Sequence, residues 1–428
     1  MSDCFAAAKR VDAKTPARCA YTAGTLLWAM TAGFFLHCRS RNQMDRRRGE
    51  GAWAENLFAL SGQSAGKNGE VGAPCSETVK RLLKKLPPQV LDDALAAFVR
   101  WMIREKCFDD GRLLGFLYVV LDATEAERKR GGNLSTKEKK RNVLEAKIVT
   151  PWGWNIPVMS EPVEPWESER EKQDCEINAF QRLAPRLKAA FPRLPIGIGG
   201  DALYACSTVM ALCRRYGWEF LLTYKEGRTP TQWEEACRAR DAFGHRTRKR
   251  EPDRTSTVVR WASDDEIASE RGENPGYNVV WVHEVWTEEK QAAHPKERPY
   301  SGAFATSLPL GRPENAAARA FLLAEWGRRR WKIENGFHTL KAPEGFGLEH
   351  TFCNDETASR NVHLLMNLGH ALWQLFHHGC VHRLERGVRK MTQGGWAELL
   401  REIFRDVRLA LLGGDGTRPA FRMRRASG

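Results

Sequence analysis

Three acidic residues occupy positions from which they could do phosphodiester chemistry. Asp122 ends the strand-like core of the run FLYVVLDAT (116–124), and Asp201 ends a second run, LPIGIGGD (194–201). Glu334 lies in a stretch that is otherwise rich in arginine and lysine. Carboxylates crowded together repel one another unless cations neutralise them, and Mg2+ or Mn2+ prefers such oxygen ligands. Two such ions would activate a water or a 3′-hydroxyl for attack on a phosphodiester.

None of these acidic residues is informative by itself. An aspartate after an apolar strand is more often a turn or cap residue, and a helical glutamate is commonly a surface ion-pair partner. Their joint placement favours chemistry, because two of them end neighbouring strands and the third lies on a helix that would pack beside those strands. The histidines lack zinc-type spacing, so zinc is disfavoured, and His338, His350 and His370 are interpreted as packing or capping residues.

The elements that would position the carboxylates alternate between strands and helices. FLYVVLDAT indicates a buried strand, and residues 143–150 and 155–161, separated by Pro-Trp-Gly-Trp, indicate a hairpin beside it. Four further segments are predicted as helix, strand, helix and strand, in that order: residues 175–191, 194–201, 205–217 and 218–225. The sequence therefore predicts an α/β fold with a five-stranded mixed sheet in the order β-β-β-α-β-α-β.

The remaining segments indicate how this core is interrupted and completed. Residues 226–311 are polar and contain three strand-like runs, which predicts a β-rich antiparallel insertion. A long helix over 313–341 carries Glu334, and a markedly apolar helix covers 359–376. The predicted domains are a helical, basic N-terminal region (1–110), the first part of the core (111–225), the insertion (226–311), the catalytic helix with the remainder of the core (312–385), and a C-terminal helix with a basic tail (386–428).

The charge balance favours a polyanionic partner. Lys and Arg number 67 against 53 Asp and Glu in 428 residues, a formal net charge of +14. Basic residues in 39–105, which begins with the charge run RSRNQMDRRRG, and in 226–254 predict salt-dependent and largely sequence-independent DNA affinity. The eleven cysteines include no pair at two-residue spacing, which disfavours a disulfide framework or a thiolate zinc site and favours a reducing compartment.

An uncharged stretch, residues 19–38, resembles a signal peptide or an anchor because basic residues precede it. It contains three threonines, two glycines and a histidine, so a buried helix of an N-terminal domain is the preferred interpretation. We therefore expect a soluble, cytoplasmic protein that associates with the nucleoid and not with a membrane.

Taken together, these residues resemble the DDE-type bacterial insertion-sequence transposases of the group with a Tyr-Arg-Glu-Lys motif on the last catalytic helix. Three residues separate Arg from Glu in that motif and six separate Glu from Lys, and Arg330, Glu334 and Lys341 meet both spacings. The resemblance extends over about residues 36–380. It includes VVLDAT, the block GDALYACSTVMALCRRYGWEFLLTYKEG, QDCE (173–176) and LEHTFCNDETASRNVHLLM (348–366). The residue at the motif's Tyr position is Gly327.

The resemblance implies an RNase H-like core, interrupted by the insertion, that cleaves transposon ends and transfers strands into target DNA. It implies that Asp122, Asp201 and Glu334 ligate two Mg2+ ions, for which Mn2+ may substitute, and that Arg330 and Lys341 clamp phosphates. Lys225 is a weaker candidate for a DNA contact, since a solvated lysine after a strand is its preferred explanation. The implied partners are double-stranded DNA and further copies of the chain, in a homodimer or a larger synaptic complex.

Two departures from the family pattern bear on activity. In the family the motif's Tyr helps to hold a phosphate near the cut, and Gly327 has no side chain for that role. Relatives that form hairpins flip a base against a Trp in the last strand of the insertion, where this chain has Phe304, so a hairpin route is not expected. Two alternatives stay open: a structure-selective RNase H-like nuclease that cuts without joining, and a catalytically decayed transposase remnant that only binds DNA.

Overall fold

The computed structural model describes residues 20–63, 72–129, 139–163, 169–252, 255–267, 275–378 and 392–406. The predicted basic tail after residue 412 lies outside these residues. Helices make up the described part before residue 105: α1 (Ala23–Phe35), α2 (Arg41–Arg47), α3 (Trp53–Ser61), α4 (Ser76–Leu83) and α5 (Pro88–Arg104). The helical character predicted for residues 39–105 is confirmed.

The strands form one mixed sheet in the order β3-β2-β1-β4-β5-β9-β8-β7-β6. They are β1 (Leu117–Lys129), β2 (Lys139–Val149), β3 (Asn155–Val163), β4 (Ile196–Gly200), β5 (Glu219–Tyr224), β6 (Arg246–Arg250), β7 (Thr255–Ala262), β8 (Asn278–Trp286) and β9 (Ser301–Thr306). β1 runs antiparallel to β2 and parallel to β4, and β4 runs parallel to β5. The predicted α/β class, hairpin and strand order of the core are confirmed.

The predicted limit of five strands is wrong, because the insertion continues the same sheet. β9 pairs antiparallel with β5, from Leu221 opposite Thr306 to Tyr224 opposite Ala303. The three predicted strands of the insertion then follow as β9, β8 and β7, and the basic segment Arg246–Arg250 adds β6 at the outer edge. Backbone hydrogen bonding therefore makes the inserted segment an extension of the core sheet.

Helices pack around this sheet. They are α6 (Glu169–Ala190), α7 (Ser207–Tyr216), α8 (Pro230–Phe243), α9 (Glu288–Ala293), α10 (Pro313–Arg328), α11 (Lys332–Lys341), α12 (Glu356–Phe376) and α13 (Gln393–Asp406). The single long helix predicted over 313–341 is divided into α10 and α11 by a 3-10 turn, Arg329–Trp331. The 3-10 turn tightens the backbone locally, and α11, which carries Glu334, begins after it as a separate helix.

The apolar stretch in residues 19–38 forms α1, which is buried against α12. Phe35 meets Trp373 edge to face with ring centroids 6.2 Å apart, and Gly369 lets α12 approach the backbone of α1. The side-chain amide of Asn361 on α12 donates to the carbonyl groups of Leu83 and Leu86, both at 2.8 Å. The N-terminal helices and the core thus share one hydrophobic cluster. No helix within the described residues is both long and apolar enough to span a bilayer.

Candidate active site

β1 and β4 bring two of the predicted carboxylates side by side. The prediction that Asp122 ends its strand is wrong, because β1 continues to Lys129, whereas Asp201 directly follows β4 as predicted. The parallel ladder pairs Leu117 with Ile196 and Val120 with Gly199, and the same offset places Asp122 level with Asp201. β4 is the glycine-rich strand Ile196–Gly200, whose five residues are all buried. A side chain at Gly199 would collide with the Tyr118 ring, its Cβ lying 2.5 Å from the hydroxyl, so this glycine keeps the two strands close.

Asp201 has a turn function as well. Its Oδ1 accepts the backbone N–H of Leu203 at 2.8 Å, and its carbonyl accepts the N–H of Tyr204 at 3.2 Å. These bonds fix the turn that leaves β4, which is ordinary aspartate turn chemistry. Tyr204 is fully buried beside Glu176, Asp122 and Asp201; burial and then these carboxylates hold its pKa well above the usual value. The tyrosine therefore stays protonated beside the two aspartates.

The helix α11 brings the third carboxylate to this edge. The side-chain amide of Asn155, at the start of β3, donates to the carbonyl of Lys332. Gly336 sits against the same asparagine, where any side chain would collide. The ammonium of Lys332 donates to the carbonyl of Pro151 at 3.0 Å. The first turn of α11, which carries Glu334, is thereby attached to the β2–β3 hairpin.

Arg330 lies between two of the carboxylates. Its guanidinium is 3.1 Å from Glu334 Oε1 and 3.9 Å from Asp122 Oδ2, and its side chain is only 12% exposed. The sequence motif placed Arg330 one turn before Glu334 but gave no sign that it would also contact Asp122. One guanidinium group therefore offsets negative charge on Asp122 of β1 and on Glu334 of α11.

The carboxylates influence one another electrostatically. Burial is the largest cause that raises the pKa of Asp122 to about 6; Arg330 acts in the opposite direction, while Asp201 and Glu334 raise it further. Arg330 contacts Asp122 and Glu334 but not Asp201, so three carboxylates near one guanidinium leave negative charge uncompensated above that pH. An additional cation would relieve this repulsion.

The chemistry of this donor set fits Mg2+ or Mn2+, since it consists of carboxylate oxygens; burial first, and then the neighbouring carboxylates, raise the pKa of Asp122. In their present placement Arg330 supplies the positive charge. Within the described ranges, no group of three or more His, Cys, Asp or Glu side chains is gathered closely enough to hold a metal ion. Metal binding at this edge would therefore require the guanidinium to give up its position between Asp122 and Glu334.

The two predicted lysines differ in their position relative to the carboxylates. Lys341 ends α11, about 10 Å along the helix from Glu334 by the rise per residue, and pairs with Glu349 at 3.3 Å. Lys225 is exposed and follows β5, the parallel neighbour of β4. The structure thus places Arg330 between Asp122 and Glu334 with Asp201 beside Asp122, and it leaves Lys341 at a distance from that group.

Gly327 is a close-packing position. A side chain there would lie 2.6 Å from the ring of Phe304 on β9, so the Phe304 ring occupies the space next to the helix. Tyr300, just before β9, stacks on the guanidinium of Arg328 at 4.6 Å. Burial raises the pKa of Tyr300, and the positive charges of Arg328 and Arg330 reduce that rise. Aromatic groups from β9 therefore border Arg330 on the side of the missing motif tyrosine.

A second charged cluster lies behind the first, and the sequence analysis missed it. Lys147 Nζ is 2.6 Å from Glu145 Oε2, and both side chains are completely buried. His363 Nε2 on α12 lies 2.9 Å from Glu145 Oε1, and the Lys147 ammonium lies 4.2 Å from the centre of the Phe337 ring on α11. Asp122 is the direct cross-strand partner of Glu145. The sequence signal for this cluster was the two-residue spacing of Glu145 and Lys147, which places both side chains on one face of β2.

Of the histidines interpreted as packing residues, His370 is completely buried and lies edge to face with Phe346, with ring centroids 5.5 Å apart. His350 packs in the same way on Phe352 at 5.0 Å. His338 is exposed on α11. The packing interpretation is confirmed for His370 and His350.

The sequence matches no protein-family model and no curated protein. Among solved structures, the chain is similar to the piggyBac transposase in the cryo-EM structure of its synaptic complex with hairpin DNA. The identity is 8% and the TM-score is 0.36, over 93% of this chain and 75% of that one.

Proposed function

We propose that this chain is a DNA transposase that cuts DNA at the ends of a mobile element and joins the cut strand to target DNA. The observation that supports the proposal is the guanidinium of Arg330 between Asp122 and Glu334, with Asp201 and Glu334 both near enough to Asp122 to raise its pKa. Their mutual repulsion is the property that divalent cations relieve in phosphoryl transfer.

The topology supports an RNase H-like core. The first five strands lie in the order β3-β2-β1-β4-β5, with an antiparallel hairpin pair followed by parallel strands. In the chain the insertion lies between β5 and α11, so Glu334, the third carboxylate, follows the inserted segment. This arrangement agrees with the resemblance carried by Arg330, Glu334 and Lys341.

The proposed cofactors are two Mg2+ ions, replaceable by Mn2+, held by Asp122, Asp201 and Glu334. When bound they would supply charge neutralisation at the attacking and leaving oxygens. Arg330 has the donor geometry to clamp a DNA phosphate, and a phosphate would compete with Asp122 and Glu334 for its guanidinium. Transfer of Arg330 from the carboxylates to DNA would then free the acidic oxygens as the substrate arrives.

The proposed partners are double-stranded DNA and further copies of this chain, because two element ends must be held together for joining. Lys341 and Lys225, with the basic segments of residues 39–105 and 226–252, are the proposed sources of phosphate contacts. Such contacts position the duplex and make its binding strongly dependent on salt.

The test is cleavage and joining of DNA taken from the two flanks of the gene, where inverted terminal repeats are expected. Purified protein is incubated with end-labelled flank DNA, target plasmid and Mg2+. Replacing Asp122, Asp201 or Glu334 by Ala should lower cleavage by about 1,000-fold or more while DNA binding persists. Asp265→Ala, an exposed carboxylate of the insertion, is the matched control and should cleave normally.

The products separate this proposal from its alternatives. Joined products support a transposase, whereas cut ends that never join to the plasmid indicate a structure-selective nuclease. DNA binding with no cleavage in Mg2+ or Mn2+ indicates a remnant, for which the occupied space at Gly327 would be a cause. Cleavage that survives Asp122→Ala would contradict the assignment of the site.

A further inference from the structure

A cleft lies at the end of α11 opposite to Glu334, between α2, the segment after α11, and α13. Its volume is about 480 Å³, within the range of small-ligand sites. The charged residues that line it are Arg39, Arg46, Arg47, Arg401, Glu50 and Glu344. Lys341 ends α11 just before Glu344, so the cleft is roughly 15 Å along the chain axis from Glu334. It is a separate site from the sheet edge.

The cleft carries a surplus of positive charge. Glu50 is already paired with Arg47 at 3.4 Å, and Arg401 contacts Glu398. Arg39 and Arg46 have no ion-pair partner among the described residues. Four guanidinium groups and two carboxylates, Glu50 and Glu344, therefore line the cleft, and within the described residues Arg39 and Arg46 form an ion pair with neither carboxylate.

His37 adds no charge to this surface. Burial lowers its pKa to about 4, and its Nδ1 donates to the carbonyl of Glu344 at 2.7 Å. The ring is packed against Phe346 and Trp373, with centroids 4.5 Å and 4.2 Å away. His37 is thus a neutral wall of the cleft that attaches α1 to the segment after α11.

Two guanidinium groups of the cleft have buried donors that nothing satisfies. The Nε atoms of Arg39 and Arg401 are shielded from solvent, and neither has a hydrogen-bond partner in the described part of the chain. A buried donor of a charged group is costly to leave unpaired, and nearly all such groups in proteins have a partner. Because both Nε atoms are shielded from solvent, an anion in the cleft would be bound by the outer nitrogens of the guanidinium groups.

The backbone holds Arg39 in place. The N–H of Arg39 donates to Gln43 Oε1 at 2.7 Å. Gly347, at φ +76°, lies against the Arg39 carbonyl, where a Cβ would come within 2.8 Å of the oxygen. These contacts fix the backbone at Arg39, so the binding of a ligand would cost little entropy for ordering this loop.

We infer that this cleft binds a phosphate group. Planar guanidinium groups match the geometry of phosphate oxygens, and Arg39 and Arg46, which have no ion-pair partner among the described residues, provide the positive charge. The phosphate belongs either to the backbone of DNA or to a free phosphate-bearing molecule. The inference does not require cleavage at the carboxylates, so it stands or falls independently of the proposed transposase activity.

The first experiment measures the binding of inorganic phosphate to the full chain by calorimetry and by thermal shift, with chloride at equal ionic strength as the reference. Arg39→Gln and Arg46→Gln should each weaken phosphate binding about tenfold, since each removes a charge-assisted hydrogen bond. Arg104→Gln, on the exposed end of α5, is the matched control and should bind as the wild type does. Arg46 is itself exposed, so its variant tests the inference even where Arg39→Gln fails to fold.

A second experiment identifies the source of the phosphate. Duplex DNA binding is measured against salt concentration, and loss of one phosphate contact lowers the slope of log K against log salt by about 1. A lower slope in Arg39→Gln and Arg46→Gln, but not in Arg104→Gln, indicates DNA. Lost phosphate binding with an unchanged slope indicates a free phosphate-bearing ligand. The inference is overturned when folded wild-type protein binds no phosphate and all three variants keep the wild-type slope.

Discussion

Two charged clusters share one face of the β1–β2 hairpin, and they differ in what covers them. In the open cluster the side chains of Asp122, Arg330 and Glu334 are 24%, 12% and 38% exposed. In the closed cluster Glu145 and Lys147 are completely buried and lie 2.6 Å apart beneath α11 and α12. The two clusters adjoin, since Asp122 and Glu145 are paired across the strands.

The difference separates structural charge from charge that is available to a ligand. In the closed cluster Lys147 and His363 approach Glu145 from two sides; although burial raises the pKa of Glu145, these neighbours outweigh it and hold it well below its usual range. In the open cluster one guanidinium contacts two carboxylates, Asp122 and Glu334, and both are partly exposed to solvent. The closed cluster therefore stabilises one conformation of the hairpin and α11, while the open cluster retains charge that an incoming cation can neutralise.

The largest expected effect breaks the closed cluster. Lys147→Met leaves Glu145 charged and buried with a single neighbour, which should lower the free energy of unfolding by about 3–5 kcal/mol. Urea unfolding followed by circular dichroism measures it. Lys225→Met removes a charge from an exposed position and should change stability by less than about 0.5 kcal/mol. A loss below about 1 kcal/mol for Lys147→Met would show that the buried pair does not hold the hairpin.

The next effect tests whether the open cluster costs stability. The pKa of Asp122 is raised from its usual value of 3.8 to about 6, so the folded state binds this proton more tightly than the unfolded state does. The contribution of Asp122 to stability is present below about pH 4 and is lost as the pH rises through 6, by up to about 3 kcal/mol.

Replacing this carboxyl removes that pH dependence. Asp122→Asn should be more stable than the wild type at pH 7.5, and the advantage should shrink between pH 6 and pH 4. Thermal unfolding of both proteins across this interval measures the difference, with Asp265→Asn as the control for an exposed carboxylate. A wild type whose stability rises from pH 4 to pH 7 relative to Asp122→Asn would contradict the proposed repulsion.

Some features of the two clusters follow from local sequence patterns, and others depend on tertiary packing. The strands that carry Asp122 and precede Asp201 were predictable because buried strands have long apolar runs, and the ladder then places the two carboxylates level, although β1 continues past Asp122 to Lys129. The contact between Arg330 and Glu334 was predictable from their one-turn spacing, although Arg330 lies in the 3-10 turn before α11. That spacing does not show that Arg330 also reaches Asp122, because this contact depends on how α11 docks on β1.

Other features depend on tertiary packing alone. The continuation of the sheet through β9 was not predictable, because strand pairing partners are not encoded in periodicity. The close approach of Gly327 to Phe304 joins residues that are distant in sequence. The burial of Glu145 and Lys147 depends on α11 and α12, which follow them by almost 200 residues or more in the chain.

A smaller effect tests whether divalent cations use the open cluster. Mg2+ or Mn2+ that binds only the folded state should raise the free energy of unfolding by about 1–3 kcal/mol at concentrations well above its dissociation constant. The gain should appear above pH 6, where Asp122 is ionised, and vanish in Asp201→Asn and Glu334→Gln. Asp93→Asn, an exposed residue of α5, should respond as the wild type does. A gain of equal size in all four proteins would place the cation elsewhere.

The smallest expected effects concern the lysines at the border of the open cluster. Lys341→Ala removes a half-exposed pair with Glu349, which contributes less than about 1 kcal/mol to stability, and Lys225→Ala removes no pair within the described residues. On DNA, each variant should lower the salt slope by about 1 if its lysine contacts a phosphate. Lys225 is the sharper test because its loss leaves the fold unchanged. An unaltered slope for Lys225→Ala alone would make Lys225 an ordinary solvated lysine, and an unaltered slope for both would restrict phosphate binding on this side to Arg330.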